Sequence, residues 1–201
     1  MGGARLRRGA CRDGGCGGAH GCIRGRLFIL PPSEFDPEPG YPRARKVIDA
    51  VVEALTAAKP DKVLCLSTVG ADAVHDNLLS QCTMMEKALS ALPLPVTFLR
   101  PGCVLGNSAW DVASARETGV IASFLMPLDK TFPMVAAKDV GRVAAKLIQE
   151  EWSGTRVVEL QGPHRVSPND LAAAFANALG KLVRAGAVPR KPGKSCVARR
   201  G

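Results

Sequence analysis

Residues 62–67 (KVLCLS) and residues 95–100 (PVTFLR) are apolar almost throughout, and each run is of strand length. Short, uninterrupted apolar runs are typical of strands buried on both faces, as in a parallel sheet. A third run, RLFILPP at 26–32, stops at two consecutive prolines. Apolar residues recur at helical spacing over 42–58 and 77–91, so a helix is predicted between each pair of runs. Helical crossovers return the chain parallel, and we therefore expect parallel pairing, with KVLCLS between the other two strands or beside both.

The same alternation extends through the second half of the chain. A short strand is predicted at 133–136, and Asp139 is a suitable N-cap for a helix that continues to about residue 150. A strand at 156–160 precedes a helix from Ser167 to Gly180, which starts with a Ser N-cap, a Pro and an early Asp. A final edge strand is predicted at 182–188. The predicted fold class is therefore α/β, with a parallel sheet, flanking helices and a small C-terminal lobe.

Basic residues are concentrated at the two ends of the chain. The full chain has a net charge of +9, but residues 27–188 hold 16 basic and 17 acidic side chains. A nucleic-acid-binding protein usually carries its basic patch on a folded face, so this body does not support that class. Residues 1–26 and 189–201 are rich in Gly, Arg and Cys and lack apolar periodicity. We expect both to be disordered tails around one domain at 27–188.

No membrane span or secretion signal is predicted, because no apolar run approaches ~18 residues and the N-terminus lacks an apolar core. The seven cysteines are an odd number scattered over an α/β pattern, which favours free thiols and a cytoplasmic location. The three Cys and one His at 11–22 do not have the paired spacing of a structural zinc site. No metal is predicted.

Four stretches stand out for their order and spacing: LFILPP with the FDPEPGYP loop, KVLCLSTVGAD at 62–72, LPVTFLRPGCVLGN at 94–107, and MVAAKDVGRVAAKLI at 134–148. Together with the segment at 158–180 they resemble the NmrA-like family of atypical short-chain dehydrogenases/reductases. The resemblance covers about residues 27–188 and implies a Rossmann sheet that binds NAD(H) or NADP(H). The family includes quinone and azo-dye reductases, and also proteins that sense the nucleotide without turning it over.

The resemblance begins in the middle of the family's fold, because RLFILPP matches its fourth strand. Three preceding strand–helix units need roughly 60–80 residues, and only 26 are present. The spacing G-x-x-G-x-x-G occurs at 15–21, but without the strand before it and the helix after it that a pyrophosphate loop requires. We therefore expect an N-terminally truncated, incomplete Rossmann-type sheet that binds NAD(P)H weakly. Missing strands would leave a sheet edge unpaired, which favours self-association.

The resemblance places the ribose and nicotinamide half of the cofactor at the carboxyl ends of three strands. The predicted cofactor-binding residues at these ends are Leu30, Pro31, Pro32, Ser67, Thr68, Val69, Pro101 and Cys103. Ser67 matches the active-site Ser or Thr that hydrogen-bonds the reacting carbonyl, so it is the candidate catalytic residue; the alternative is a turn-capping role. Asn107 matches a family Asn and is a candidate for substrate binding, with loop capping as the alternative.

The usual Tyr and Lys pair of short-chain reductases is missing from this pattern. The only tyrosine, Tyr41, lies in another loop, and Cys82 stands where related proteins often hold the Lys. Hydride transfer to a quinone-like acceptor needs less acid–base help, since the cofactor does the difficult chemistry. The predicted function is an NAD(P)H-dependent oxidoreductase acting on a small quinone-like or other electrophilic acceptor. The alternative is a non-catalytic protein that senses the nucleotide or binds another protein, or an inactive fragment.

Overall fold

The structure, a computed structural model, describes residues 21–23 and 25–189. In chain order its elements are β1 (Gly21–Ile23), β2 (Arg26–Ile29), α1 (Pro42–Ala58), β3 (Lys62–Leu66), α2 (Ser80–Ser90), β4 (Val96–Pro101), β5 (Cys103–Val104), a 3₁₀-helix (Leu105–Asp111), α3 (Val112–Thr118), β6 (Val120–Ser123), β7 (Phe132–Val135), α4 (Ala137–Leu147), β8 (Thr155–Leu160), β9 (Arg165–Val166), α5 (Pro168–Leu179) and β10 (Arg184–Ala187). Among these elements, no helix has the length and apolarity needed to cross a membrane.

The main sheet has the strand order β1-β2-β3-β4-β8. Strands β2, β3, β4 and β8 run parallel, and Val63 of β3 lies between Leu27 on one side and Val96 on the other. Helix α1 connects β2 to β3, and α2 connects β3 to β4. The predicted parallel pairing, with KVLCLS in the centre, is confirmed, and so is the α/β fold class.

Strand β1 was not expected from the sequence. It pairs antiparallel with β2, so the prediction that residues 1–26 lack regular structure is wrong at 21–23. The outer edge of β2, which we expected to be unpaired, is covered by this strand. Gly25 makes the connecting turn with a φ of +74°, a conformation that suits glycine. The rest of both predicted tails, at 1–20, 24 and 190–201, lies outside the described residues.

Two apolar layers cover the faces of the main sheet. Helices α1 and α2 pack on one face through a cluster that includes Leu55, Leu89 and Phe98. Helix α4 packs on the other face through a cluster that includes Leu64 and Leu147. Full burial of one such side chain stabilises the fold by about 1.5–3 kcal/mol, so these two layers provide the main driving force for the sheet.

The segment between β4 and β7 contains short elements that the sequence did not reveal. Strand β5 pairs parallel with β7, which in turn pairs antiparallel with β9. Strand β6 pairs parallel with β10, so the predicted last strand joins a separate two-stranded sheet. A small cluster that includes Ala115, Ile121, Ala172 and Val183 packs α3 and α5 against this sheet. It forms the small C-terminal lobe.

The two predicted helix caps have different outcomes. Asp139 is not the N-cap of α4, because the helix starts at Ala137 and Ala136 holds that position. Asp139 lies in the first turn, where a carboxylate interacts favourably with the helix dipole. The predicted cap at Ser167 is confirmed, since its Oγ accepts a hydrogen bond from the Asp170 backbone N–H at 3.1 Å. The Asp170 carboxylate accepts from the Ser167 N–H at 2.8 Å, which completes a capping box.

A compact cluster of charges and one aromatic ring closes the amino end of the sheet. The Lys62 ammonium lies 4.9 Å from the centre of the Trp152 ring, and the Arg156 guanidinium lies 4.7 Å from it. Glu151 forms ion pairs with Lys62 and Arg26. The hydrogen bond from Lys62 is the main cause that lowers the pKa of Glu151. These contacts join the starts of β2, β3 and β8 on the side opposite the strand ends predicted to bind cofactor.

Replacing Ser167 with alanine should lower the free energy of unfolding by about 1 kcal/mol, because the N-cap hydroxyl is lost. Urea unfolding followed by circular dichroism measures this change. Ser153→Ala is the matched control, since Ser153 is exposed in a loop and the same substitution there should leave stability nearly unchanged. Equal effects of the two substitutions would contradict the capping box.

Asp170→Asn should change how stability depends on pH. The pKa of Asp170 is lowered chiefly by the Ser167 side-chain hydrogen bond and then by the Ser167 backbone N–H. A lowered pKa in the folded state gives stability that is present above the unfolded pKa of about 3.9 and is lost as pH falls through the folded value. The difference in unfolding free energy between the wild type and Asp170→Asn should therefore be constant between about pH 5 and 7 and shrink below about pH 4. A difference that stays constant to about pH 3 would contradict this assignment.

Candidate functional site

The three predicted strand ends meet at the carboxyl edge of the sheet. The Ser67 N–H donates to the Leu99 carbonyl at 2.7 Å, and the Val69 N–H donates to the Pro101 carbonyl at 3.0 Å. The ladder between β2 and β3 extends to Ile29, so the segment from Leu30 begins directly beside the end of β3. The topology therefore brings together the segments that the sequence analysis singled out.

The predicted site residues differ in exposure. Leu30, Pro32, Cys103 and Asn107 are exposed; Pro31, Thr68 and Val69 are half-buried; and Ser67 and Pro101 are buried. Ser67 and Pro101 therefore offer little surface to a ligand. Although Cys103 as a whole residue is exposed, partial burial of its thiol raises the thiol's pKa, which disfavours a reactive thiolate. Among the described residues the Asn107 side chain makes no hydrogen bond, and both substrate binding and loop capping stay predictions for it.

The Ser67 hydroxyl contacts a carboxylate that the sequence analysis missed. Its Oγ donates a hydrogen bond to Oε1 of Glu86 on α2. Arg100 holds the same carboxylate in a bidentate pair, from Nε to Oε1 at 2.9 Å and from Nη2 to Oε2 at 2.7 Å. Arg100 Nη1 also lies 3.2 Å from Asp72 Oδ2 in the loop after β3. The hydrogen bond to Glu86 is the main cause that raises the pKa of Arg100.

This buried ion pair links α2 and β4 to the loop after β3. The side chains of Arg100 and Glu86 are only 10% and 11% exposed. Charge-assisted, bidentate pairs of this kind are stronger than neutral hydrogen bonds, and removing one partner leaves a buried charge uncompensated. The Ser67 proton is directed toward Glu86, so Ser67 presents only its lone pairs to a ligand at this edge. In the sequence, the indication of this pair was Arg100 itself. A charged residue at the end of a buried strand needs a partner.

The loop after β2 is attached to α2 by a buried amide. Gln81 Nε2 donates to the Glu34 carbonyl at 2.8 Å, and the Glu34 N–H donates back to Gln81 Oε1 at 3.3 Å. A shallow pocket beneath this loop is lined by Pro31, Pro32, Ser33, Ala44, Val47, Ile48, Gln81, Cys82 and Met85. Burial raises the pKa of the Cys82 thiol. Cys82 therefore cannot replace the cationic Lys that the resemblance implies at its position.

An aromatic contact joins the loops on either side of β3. The rings of Phe35, in the loop after β2, and Trp110, in the 3₁₀-helix, have centroids 5.6 Å apart and planes at 77°. This edge-to-face pair was not predicted, because its members are far apart in the sequence and lie in segments without periodicity. The contact fixes the two aromatic rings relative to each other at the carboxyl edge.

The segments that follow β2, β3 and β4 are acidic. Residues 30–41, 67–79 and 102–111 contain six Asp or Glu and neither Lys nor Arg. Arg43 and Arg100 pair with two of these carboxylates from neighbouring elements, at 3.0 Å from Glu34 and 3.2 Å from Asp72. None of the three segments has the G-x-x-G-x-x-G spacing. These three segments therefore lack both of the features that usually hold a pyrophosphate.

Glycine at 102 is required by a close backbone approach. A Cβ at Gly102 would collide with the Pro133 carbonyl of β7. The Gly102 N–H donates to the Leu160 carbonyl at 2.8 Å, which fixes this turn beside β8. Among the described residues, no group of three or more His, Cys, Asp or Glu could hold a metal ion. The Cys and His side chains at 11–22 lie outside the described part of the chain.

No family model and no curated protein sequence matches this chain. Solved structures do match it. The NADPH complex of the quinone oxidoreductase QOR2 of Escherichia coli is 24% identical with a TM-score of 0.67, and the match covers 82% of this chain and 55% of that one. Over that range the chain has the α/β fold of this oxidoreductase. The chain spans about half the length of the quinone oxidoreductase.

Two further matches show how widely this fold is used. The triphenylmethane reductase of Citrobacter sp., complexed with NADP(H), is 18% identical with a TM-score of 0.64 over 82% of this chain and 56% of that one. MoeE5, in complex with UDP-glucuronic acid and NAD, is 15% identical with a TM-score of 0.66 over 83% of this chain and 67% of that one. The shared feature is the fold alone, since quinones, dyes and sugar nucleotides are different substrates.

Glu86→Ala should lower the free energy of unfolding by about 3 kcal/mol, because the buried Arg100 loses its bidentate partner and keeps, within the described residues, just the exposed carboxylates of Asp72 and Glu159. Asp72→Asn is the matched control, since the Asp72 side chain is 70% exposed and its pair with the same Arg100 is screened by solvent. We expect that control to change stability by less than about 1 kcal/mol. Urea midpoints measure both values, and equal midpoints would show that the Glu86 pair is not a buried one.

Proposed function

We propose that this chain carries the nicotinamide and acceptor side of an NAD(P)H-dependent oxidoreductase that reduces quinone-like or other electrophilic acceptors. The observation that supports this most is the carboxyl edge, where three parallel strand ends meet in a fold shared with the NADPH complex of a quinone oxidoreductase. In open parallel sheets of this kind, ligands bind outside the carboxyl ends of the strands.

The three strand ends at this edge suit the nicotinamide half of a cofactor. Leu30, Pro31, Thr68, Val69 and Cys103 offer apolar or weakly polar surface to a ring that needs packing more than charge. When bound, the reduced nicotinamide supplies the hydride. The pyrophosphate half needs backbone amides at a glycine-rich turn, and the three acidic segments at this edge provide none. We therefore propose that the chain as given binds NAD(P)H weakly.

The acid–base groups at the edge favour an acceptor that needs little protein help. Ser67 donates a hydrogen bond to Glu86, so it acts as a positioning group for the end of β3 in this proposal. Tyr41 is the left-handed N-cap of α1, at the end of the loop after β2, and no lysine pairs with it. A quinone accepts hydride without a positioned protein acid, and its product is protonated from water. An alcohol dehydrogenase would need the relay that this edge lacks.

The same Ser67 geometry favours a second candidate, a nucleotide-binding protein without turnover. Binding would then depend on the strand ends alone, and acceptor would not be consumed. A cytoplasmic location is part of either proposal. Self-association through a sheet edge stays a prediction, with β1 and β8 as the two edge strands of the main sheet.

A fluorescence titration with NADPH tests the proposal directly. The chain as given is compared with a chimera that carries the first three strand–helix units of the matched quinone oxidoreductase. Losing two or more charge-assisted hydrogen bonds to the pyrophosphate should weaken binding by about a hundredfold or more in the chain as given. Equal micromolar affinity of the two forms would show that the phosphate side is not what limits binding.

Turnover separates the two candidates. The chimera should oxidise NADPH in the presence of menadione, and the chain as given should do so far more slowly. A chimera that binds NADPH tightly but consumes neither substrate supports the sensing protein and contradicts the oxidoreductase. A chimera that does not bind NADPH at all contradicts both.

A further inference from the structure

Large apolar side chains that stay exposed are concentrated at the carboxyl edge. Nine are exposed in the described part of the chain, and five of them follow β2, β3 or β4: Leu30, Phe35, Val74, Leu78 and Trp110. Single exposed apolar residues are normal, whereas a concentration at one edge marks a surface that binds something. The ligand for such a surface is at least partly apolar.

Phe35 and Trp110 are the two aromatic members of this group. Their side chains approach from the loops after β2 and β4, two strands that are about 10 Å apart with β3 between them. The contact therefore joins the loop after β2 to the segment after β4 at the carboxyl edge. Phe35 is 47% exposed and Trp110 is 62% exposed, so the edge-to-face pair leaves ring surface open to solvent. Open ring faces favour a planar aromatic partner in an offset or edge-to-face stack.

The position of Phe35 is fixed before any ligand binds. The preceding residue, Glu34, exchanges two hydrogen bonds with the buried Gln81 side chain and forms an ion pair with Arg43. A preorganised ring loses little conformational freedom on binding, so more of the stacking energy appears as affinity. The aromatic pair is therefore built into the edge by α1 and α2.

The charge of the same edge restricts the ligand further. Six carboxylates lie in the three segments, and Arg43 and Arg100 pair with two of them, Glu34 and Asp72, from the adjoining elements. Like-charge repulsion disfavours an anion here, and it does not act on a neutral molecule. A sugar nucleotide of the kind bound by MoeE5 carries its own negative charges and fits this edge poorly.

We propose that Phe35 and Trp110 form the acceptor subsite and that the acceptor is an uncharged, planar aromatic molecule. The subsite rests on the proposed oxidoreductase function for its role in hydride transfer, whereas binding of the acceptor requires no nucleotide. Phe35 and Trp110 provide the stacking surface, and the surrounding carboxylates exclude anionic acceptors of the same shape.

The two tryptophans of the chain make the test direct. Trp110 lies in the subsite, and Trp152 lies at the opposite end of the sheet between Lys62 and Arg156. Menadione is titrated without nucleotide, and tryptophan emission is corrected for its absorbance. Subtracting the emission of Trp110→Phe from that of the wild type isolates the Trp110 signal. The substitution is at an exposed position, so the variant should fold.

The variants and the two ligands should give different results. Quenching of Trp110 by menadione should saturate, and Trp110→Phe should show only a linear, collisional loss of emission. Phe35→Ala should raise the half-saturation concentration about fivefold, because one stacking ring is removed. Leu182→Ala, a truncation of an 85% exposed side chain in the C-terminal lobe, should leave it unchanged. A naphthoquinone sulfonate should bind at least about tenfold more weakly than menadione at low salt, and this difference should shrink as salt is added.

Two outcomes would overturn the subsite. One is quenching that stays linear in the wild type, and the other is an equal half-saturation concentration in the wild type and Phe35→Ala. Equal binding of menadione and the sulfonate would overturn the requirement for an uncharged ligand. The outcome is independent of the NADPH titration. Saturable, Phe35-dependent quenching in a protein whose chimera binds no NADPH would keep the subsite and refute the oxidoreductase proposal.

Discussion

Because Val63, Leu64 and Cys65 are each 1% exposed or less, β3 has no face and no edge left for solvent. A strand covered in this way must have a parallel neighbour on each side and helical layers above and below. The helices that make these layers are also the connections between the strands. The chain therefore returns to the same end of the sheet after each helix, and the segments after β2, β3 and β4 collect at one edge. The candidate site is a consequence of the burial of this one strand.

Because the central strands are buried, a charged side chain near them loses its hydration and needs a partner. Arg100 ends β4 in an apolar environment, and it is tolerated only because Glu86 matches its guanidinium in two hydrogen bonds. Arg100 also donates a hydrogen bond to Asp72, and Glu86 accepts one from Ser67. The loop after β3 is therefore connected to α2 and β4 through side chains. Ser67, the predicted catalytic residue, is thereby also part of the support of this loop. Aromatic and apolar groups at this edge remain accessible.

The sequence was informative where the physics is local or repetitive. Continuous apolar runs predicted β2, β3 and β4, and 3.6-residue spacing predicted α1 with both of its ends. The Ser167 cap was predictable because all of its hydrogen bonds lie within one turn. Strand β1 was missed because a Gly-rich composition says nothing about pairing with a free sheet edge. The short elements between β4 and β7 were missed because a two-residue strand such as β5 has no detectable period.

The candidate site was predictable in position and only partly in content. Strand ends follow from topology, so Thr68 and Pro101 could be placed beside each other. The contacts Ser67–Glu86 and Phe35–Trp110 join residues 19 and 75 positions apart, and no sequence period connects them. Such contacts depend on how loops and helices pack, which the residue pattern of each segment does not contain. The site's support and its aromatic surface could be found only in the structure.

The two ends of the sheet differ in a way that affects encounters in solution. At the amino end Lys62 and Arg156 pack against the Trp152 ring, Glu151 pairs with Lys62, and Glu150 pairs with Arg156, so these cations have carboxylate partners. At the open end the segments after β2, β3 and β4 carry six carboxylates and neither Lys nor Arg, so they create a local negative field. The rate at which a charged molecule arrives there is set by that field before any contact forms: cations are steered in, anions are slowed, and both rates converge as salt is added.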